Sequence, residues 1–299
     1  MPVPRHPPLP CRASPPQGGR LAALPLRLVF DNWRKRKGSL ISPLAGEMAG
    51  RPEGGASHHP RLSAASALAA TILIAATTLP ALADALPAGF VRLADVDPSI
   101  RQDIRYAGSD NFLHREMNGY DAPACILTEQ AAKALSAVQK AIAARSLTLV
   151  VFDCYRPARA VADMNEWTHE GGPPDPQWYP KVRRNELIAK GYVGELSTHS
   201  RGSTVDVAVA RTDRRSSPNP ACGAIDADTL DFGTGFDCFD PMSETAHRGL
   251  ASEAAANRKI LVDAMRAGGF KNYAREWWHF TLKSEPFARQ RFDFPITAD

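Results

Sequence analysis

The sequence lacks internal repeats and heptad patterns, which excludes a solenoid and a coiled coil. Acidic residues are almost missing from residues 1–83, which hold only three of them against 10 of the 36 lysines and arginines. The same segment holds 12 of the 25 prolines. Without it, 26 basic and 29 acidic residues remain, so the net charge changes from +4 to −3. The basic balance of the whole chain therefore does not indicate a nucleic-acid partner, and we expect none.

Only one long apolar run is present, over residues 64–79, and it has the features of an export signal. Arg61 precedes the run, and the small residues of segment 81–83 follow it, as they do before a signal cleavage site. Residues 63–83 are also uncharged and about long enough to span a membrane, so an uncleaved anchor is the alternative. The run is rich in alanine and threonine and only weakly hydrophobic. We therefore expect cleavage and an exported, periplasmic protein without stable membrane insertion.

These features divide the chain into three predicted parts. Residues 1–47 are expected to be non-native or disordered, because a start at Met48 would give the signal ordinary proportions. Residues 48–83 form the secretory signal region. Residues 84–299 form one folded domain, which is long enough to bury a hydrophobic core.

Cysteine is scarce, with five residues in the sequence, and Cys11 lies in the segment expected to be removed. The other four are an even number in an exported protein, which predicts two disulfides. Three pairings are possible, and we favour Cys125–Cys154 together with Cys222–Cys238. The alternative is four buried thiols.

Local patterns predict helices and strands in mixed order. Strands are predicted over residues 90–93, 100–106, 147–152, 205–209 and 276–282, which are short and rich in β-forming residues. Helices are predicted over residues 128–145 with Thr128 as N-cap, 158–168, 181–190 and 254–267. The fold class that follows is α+β, a single domain with a small antiparallel sheet flanked by helices and a metal site on the sheet.

The candidate metal site combines two distant stretches, STHSRGSTVD from Ser197 and EWWH from Glu276. His199, Asp206 and His279 offer two imidazoles and a carboxylate with an open fourth position. This donor set is typical of catalytic zinc, whereas structural zinc is usually rich in cysteine ligands. Residues three apart on a strand face opposite sides, so Glu276 should precede the regular strand if it shares a site with His279. On spacing alone, a polar cluster that joins two strands is an equal alternative.

Five blocks in order resemble the zinc D-alanyl-D-alanine dipeptidases, which include the vancomycin-resistance enzymes. They are the stretches from Ser197 and Glu276, IRYA from Ile104 with DNF from Asp110, DCYRP from Asp153, and FDCFD from Phe236. The resemblance covers nearly all of residues 84–299 and implies that they form a zinc dipeptidase catalytic domain. Cys154 and Cys238 depart from the resistance enzymes, which agrees with an exported, disulfide-bonded relative.

The resemblance implies a hydrolytic centre. His199, Asp206 and His279 would hold one Zn²⁺ per chain, with water as the fourth ligand. Glu276 would be the general base that takes the proton of this water and passes it to the leaving amine.

The resemblance also implies how a small substrate is held. Arg156 would stabilise the developing oxyanion. The alternative is a purely structural ion pair of Arg156 with Asp153 or Asp163. Asp237 would accept the substrate ammonium group, and Ser197 would hydrogen-bond the substrate backbone. The implied substrate is a small D,D-dipeptide such as D-Ala-D-Ala from wall turnover.

Two other functions stay open. One is a zinc DD- or LD-carboxypeptidase or endopeptidase that trims longer peptidoglycan peptides. The other is a non-catalytic binding domain of the same fold, against which the presence of Glu276 and Arg156 argues.

Overall fold

A five-stranded sheet forms the centre of the computed structural model, which describes residues 86–298 except 214, 217, 219, 225 and 227. The strands of this part are β1 Phe90–Arg92, β2 Arg101–Gln102, β3 Ile126–Thr128, β4 Leu147–Asp153, β5 Thr204–Arg211, β6 Phe270–Asn272 and β7 His279–Leu282. Its α-helices are α1 Leu93–Val96, α2 Glu129–Ala143, α3 Ala158–His169 and α4 Ser252–Ala267. The described residues belong to one compact unit, and the predicted α+β class is confirmed.

The predicted extension over residues 1–47 and the predicted signal region over residues 48–83 lie outside the described residues. Among the residues that are described, no helix has the length and apolar character needed to cross a membrane.

The strands of the central sheet follow the order β2–β4–β5–β7–β6. The pairs β4–β5, β5–β7 and β6–β7 are antiparallel, as predicted, but β2 joins β4 in parallel at one edge. A separate antiparallel pair is formed by β1 and β3. The predicted strand over residues 100–106 is much shorter, because after Gln102 the chain leaves the sheet and turns into the 3₁₀ helix Arg105–Ala107.

The middle of the sheet is buried on both faces. Every residue of β4 is buried, and so is every residue of β5 except Arg211. Strands covered on both faces form continuous apolar runs rather than alternating ones, which is why the sequence of β4 has no polar face. Helix α2 packs against this region, and Thr128 caps it by accepting the backbone N–H of Ala131, as predicted.

Two predicted elements are wrong or misplaced. Residues 181–190 contain only the 3₁₀ helix Arg184–Glu186. The buried apolar anchors of this segment, Val182 and Leu187, are five residues apart, which does not match the spacing of a helical face. Strand β7 begins at His279 rather than at Glu276, because the preceding residues form turns that bury Trp277 and Trp278.

Both predicted disulfides are present. Cys125–Cys154 joins the residue before β3 to the residue after β4, and Cys222–Cys238 closes a loop between β5 and α4. The favoured pairing is therefore confirmed, and four separate thiols are excluded.

Candidate metal and active site

Three side chains from two distant stretches meet in one cluster. His199 Nε2 lies 3.3 Å from His279 Nδ1 and 3.3 Å from Asp206 Oδ2. His279 Nδ1 lies 3.1 Å from Asp206 Oδ1. His199 and Asp206 are buried, and the side chain of His279 is 16% exposed. The structure thus brings together the three residues that the sequence predicts as metal ligands.

The register of the sheet positions this cluster. Asp153 on β4, Asp206 on β5 and His279 on β7 are neighbours across three adjacent strands. Residues that lie opposite each other in a sheet point to the same face. His199 reaches this row from a 3₁₀ helix that ends at Gly202, where φ is +76°. Glycine adopts this left-handed conformation without strain, which allows the tight turn between His199 and β5.

Hydrogen bonds on the outer side of each imidazole determine which nitrogen faces the cluster. His199 Nδ1 donates to the carbonyl oxygen of Cys154 at 2.7 Å, so Nε2 is the nitrogen that faces the cluster. His279 Nε2 lies 3.3 Å from the hydroxyl oxygen of Thr198, which leaves Nδ1 towards the cluster. Metal-ligating histidines are typically oriented in this way by a partner on the other ring nitrogen.

The donor types and their proximity fit a divalent metal. Ligand atoms at 2.0–2.2 Å from a tetrahedral ion lie about 3.3–3.6 Å from one another. The two imidazole nitrogens are 3.3 Å apart, and one ligand atom from each of the three residues lies within 4.8 Å of the other two. Asp206 Oδ1 is buried and makes no hydrogen bond of good geometry, although His279 Nδ1 lies close to it. A buried carboxylate oxygen without such a bond requires another partner, and a cation provides one.

Charges within the cluster are interdependent. Burial by itself raises the pKa of Asp206, but His199 and His279 outweigh burial and hold the pKa below its usual range. Burial lowers the pKa of His279, whereas the close contact with Asp206 and the charge of Asp206 raise it above its usual value. Asp206 is therefore ionised and favours positive charge in front of it, as a metal-binding carboxylate does.

Glu276 lies beside the cluster in the turn before β7. Its Oε2 is 3.6 Å from His279 Nδ1, and its side chain is 13% exposed. Burial and the charge of Asp206 raise the pKa of Glu276 to about 7, although His279 and Arg156 act in the opposite direction. On a regular strand, Glu276 and His279 would point to opposite faces of the sheet. Because Glu276 lies in the turn before β7, its side chain can lie on the same side as His279. A carboxylate with a pKa near neutrality can take up a proton and return it.

Arg156 lines the same cavity from just beyond the end of β4. Its Nε and Nη2 lie 2.9 Å and 2.8 Å from Asp153 Oδ2, and its guanidinium carbon lies 5.0 Å from the centre of the Tyr106 ring. Of the two pairings considered from the sequence, Asp153 is the partner, whereas Asp163 pairs with Arg115. The pairing with Asp153 holds Arg156 in place and leaves its guanidinium at the cavity.

Asp237 and Ser197 also line this cavity. Tyr106 Oη donates a 2.7 Å hydrogen bond to Asp237 Oδ2, and the backbone of Asp237 is left-handed with φ +58°. Burial and the charge of Asp206 raise the pKa of Asp237 well above its usual range. A cation beside Asp237 would restore its ionised form. Ser197 Oγ accepts the backbone N–H of His199 at 3.2 Å, so its own O–H points elsewhere.

The cavity has a volume of about 220 Å³. Sites for drug-sized ligands have volumes of roughly 300–1,000 Å³, so this cavity suits a smaller molecule. Aromatic and aliphatic side chains complete its wall, including Phe112, Met164, Tyr192, Phe239 and Trp278. Polar groups are thus concentrated around the cluster, and apolar groups shape the rest.

Tyr106 and Thr198 received no role from the sequence, and Asp153 was considered there only as an alternative partner of Arg156. Asp153 is buried and bonds Arg156, Tyr106 bonds Asp237, and Thr198 contacts His279. The sequence position of Asp153 indicates a paired carboxylate, because an acidic residue directly after a continuous apolar strand is expected to be buried and then requires a partner. Tyr106 and Thr198 lie within the recognised blocks, but nothing in their spacing indicates which atoms they contact.

Comparisons with known proteins agree with this geometry. The family model described as D-Ala-D-Ala dipeptidase matches residues 87–297. A D-alanyl-D-alanine dipeptidase of Enterococcus faecium is 33% identical over 210 residues, which cover 70% of this chain and 98% of the relative. The corresponding protein of Streptomyces coelicolor is 36% identical over 209 residues, 69% of this chain and 98% of the relative. That of Escherichia coli is 31% identical over 209 residues, 70% of this chain and 89% of the relative.

Proposed function

The chain belongs to the D-Ala-D-Ala dipeptidase family, and we propose that it hydrolyses D-alanyl-D-alanine and similar small dipeptides in the cell envelope. The observation that supports this most strongly is the cluster of His199, Asp206 and His279 with Glu276 beside it. Because these groups line a cavity of about 220 Å³, they act on a small substrate rather than on a folded protein.

We assign one Zn²⁺ per chain to His199, Asp206 and His279 on the sheet. Two imidazole nitrogens and one carboxylate oxygen leave the fourth tetrahedral position for water or substrate, which is the arrangement of catalytic zinc. When bound, zinc supplies a Lewis acid and makes a water molecule acidic enough to lose its proton near neutral pH. The 3.3 Å approach of the two imidazole nitrogens, the proximity of the Asp206 carboxylate and the buried Oδ1 of Asp206, which makes no hydrogen bond of good geometry, support this assignment.

Glu276 moves the proton in the proposed reaction. Its carboxylate takes a proton from the attacking water and then delivers it to the nitrogen of the leaving D-alanine. The pKa of about 7 supports this role, since both transfers need a group that is stable in either protonation state near neutral pH.

Arg156 stabilises the negative charge that develops on the carbonyl oxygen of the scissile bond. Asp153 fixes two of its nitrogens, so the remaining N–H groups are oriented before the substrate arrives. A preorganised donor in a site with little water costs no reorganisation during the reaction, which makes its stabilisation of the transition state effective.

Asp237 binds the free ammonium group of the dipeptide, and Ser197 donates its hydroxyl proton to the substrate backbone. The pKa of Asp237 is raised by burial, so an ammonium group beside it is bound as a paired charge in a site that otherwise disfavours the carboxylate. Tyr106 fixes the carboxylate through its hydrogen bond to Oδ2.

We further propose that residues 84–299 are the exported, periplasmic catalytic domain and that residues 48–83 are its signal. The family match over residues 87–297 and the two disulfides support this division. No nucleic-acid partner and no stable membrane insertion belong to this proposal.

The requirement for a free amine separates the dipeptidase from an enzyme that trims longer peptides. We expect release of D-alanine from D-Ala-D-Ala but a kcat/KM lower by at least about 30-fold for N-acetyl-D-Ala-D-Ala, because acetylation leaves the buried Asp237 unpaired. Asp237→Asn should lower kcat/KM by about 30-fold or more for the free dipeptide and change it little for the acetylated one. Mass spectrometry of the products measures both. Hydrolysis of a stem pentapeptide without hydrolysis of the dipeptide would instead support the carboxypeptidase alternative.

A further inference from the structure

We propose that the Cys125–Cys154 disulfide is a positioning element of the active site, which fixes the segment carrying Arg156 and the acceptor for His199. The inference rests on the proposed function and adds to it that full activity requires this bond. Both cysteines are buried, and the bond joins positions 29 residues apart.

The segment that needs fixing begins where regular sheet pairing ends. Strand β4 stops at Asp153, and its pairing with β5 is already irregular between Val151 and Asp153. Beyond this point Tyr155 N–H donates to Ile126 O at 2.9 Å, and Arg156 N–H makes a long bond of 3.4 Å to His199 O. The next backbone bond, from Ala158 N–H to Phe292 O at 3.0 Å, lies four residues past Cys154. The disulfide is the only covalent tie across this gap among the described residues.

Two functional contacts depend on where this segment lies. The carbonyl oxygen of Cys154 accepts the Nδ1–H of His199 at 2.7 Å and so directs Nε2 towards the cluster. One residue earlier, Asp153 binds the guanidinium of Arg156 and also lies 3.3 Å from His199 Nδ1. A displacement of Cys154 would therefore disturb the orientation of a ligand and of the oxyanion donor together.

The other end of the bond is firmly held. Cys125 N–H donates to Gln102 Oε1 at 2.9 Å, and the carbonyl oxygen of Cys125 accepts Leu93 N–H at 2.9 Å. The neighbouring residue Ile126 is fully buried and pairs with Arg92 in the two-stranded sheet. Cys125 is thus a fixed point to which Cys154 is tied.

Burial also determines when the bond forms. Because a reductant or oxidant cannot reach the sulfurs of the folded protein, the two thiols must join while the chain is folding. They then lose two protons and two electrons to a disulfide oxidant, which becomes a dithiol. A chain that folds under reducing conditions lacks the bond and, in this account, has a poorly oriented active site.

The test compares two double variants of the full chain, Cys125→Ser/Cys154→Ser and the matched control Cys222→Ser/Cys238→Ser. At saturating zinc we expect the first to lower kcat for D-Ala-D-Ala by about 10–100-fold, because small misplacements of catalytic groups have effects of this size. Its zinc affinity, measured by competition with a chromophoric chelator, should fall by about 10-fold or more, as for loss of a contact that orients a ligand. The control should keep zinc affinity within about threefold of the wild type, because neither cysteine of this pair adjoins a proposed zinc ligand, although Cys238 adjoins Asp237.

A double-mutant cycle separates positioning from general destabilisation. In an Arg156→Ala background, removal of the Cys125–Cys154 bond should lower kcat by a clearly smaller factor than in the wild type, because one of the two groups that it positions is gone. An equal loss of kcat in both backgrounds, or wild-type kcat and zinc affinity in the first variant, would overturn the inference. Should the serine variant not fold, Cys125→Ala/Cys154→Ala avoids the buried hydroxyls. If the wild type fails to hydrolyse the dipeptide, the proposed function is wrong, and zinc affinity still decides the role of the disulfide.

Discussion

Replacement of Glu276 by glutamine is expected to lower kcat for D-Ala-D-Ala by about 10²–10⁴-fold while zinc stays bound. Glutamine has nearly the same shape but cannot take the proton of the attacking water or return it to the leaving amine. The three ligand residues remain, since Glu276 Oε2 lies 3.6 Å from His279 Nδ1 and is not one of the three clustered donors. Steady-state kinetics together with metal analysis of the purified variant measure both quantities.

Glu253→Gln is the matched control for this prediction. Glu253 is exposed in the first turn of α4 and does not line the cavity, so the variant should keep kcat within about twofold of the wild type. A Glu276→Gln enzyme that retains zinc and more than a tenth of the wild-type kcat would remove Glu276 from the role of general base.

Replacement of His199 by alanine is expected to abolish both zinc binding and hydrolysis. Only two of the three protein ligands would remain, and Asp206 would lose one of the two imidazoles that hold its pKa below the usual range. Zinc content per chain should fall from one to near zero, and the release of D-alanine should fall to the background rate. Atomic absorption and product analysis on the same preparation test the two losses together.

The control for His199→Ala is His169→Ala. His169 is exposed in the last turn of α3, so its loss should leave zinc content and kcat unchanged. Circular dichroism of both variants shows whether each is folded. Stoichiometric zinc in folded His199→Ala protein would exclude this residue from the ligand set.

The elements that the sequence predicts well are those with a local physical cause. Helix α2 follows from the cap at Thr128 and from apolar residues at helical spacing, and β4 follows from a continuous β-forming run. The short strands β3 and β6 were missed, because a strand of three residues exists through its pairing partner rather than through its own sequence. The parallel position of β2 at the sheet edge likewise depends on the chain path and has no local signal.

In the candidate site, too, some features follow from local sequence and others depend on long-range contacts. The identities of His199, Asp206, Glu276 and His279 follow from donor chemistry and ordered motifs, and the structure brings these residues together. Their orientation does not follow from the sequence. The carbonyl of Cys154 directs His199, and the register of β5 with β7 aligns Asp206 with His279. Both are long-range contacts between segments that are independent in the sequence.

The partner of Arg156 is determined by the fold and not by distance along the sequence. Asp153 and Asp163 are both near Arg156 in the sequence, and only the fold shows that Arg115 occupies Asp163 and leaves Asp153 for Arg156. The left-handed backbone of Asp237 is equally invisible in the sequence, although it helps to place the carboxylate against Tyr106.

The central claim is that one zinc ion held by His199, Asp206 and His279 makes this chain a D-Ala-D-Ala dipeptidase. The most direct measurement is titration of zinc into the metal-free protein while the release of D-alanine from D-Ala-D-Ala is followed. We predict a rate that is negligible without metal, rises in proportion to added zinc and stops rising at one equivalent per chain. Full hydrolysis by the metal-free protein, or no hydrolysis at any level of zinc, would contradict the claim.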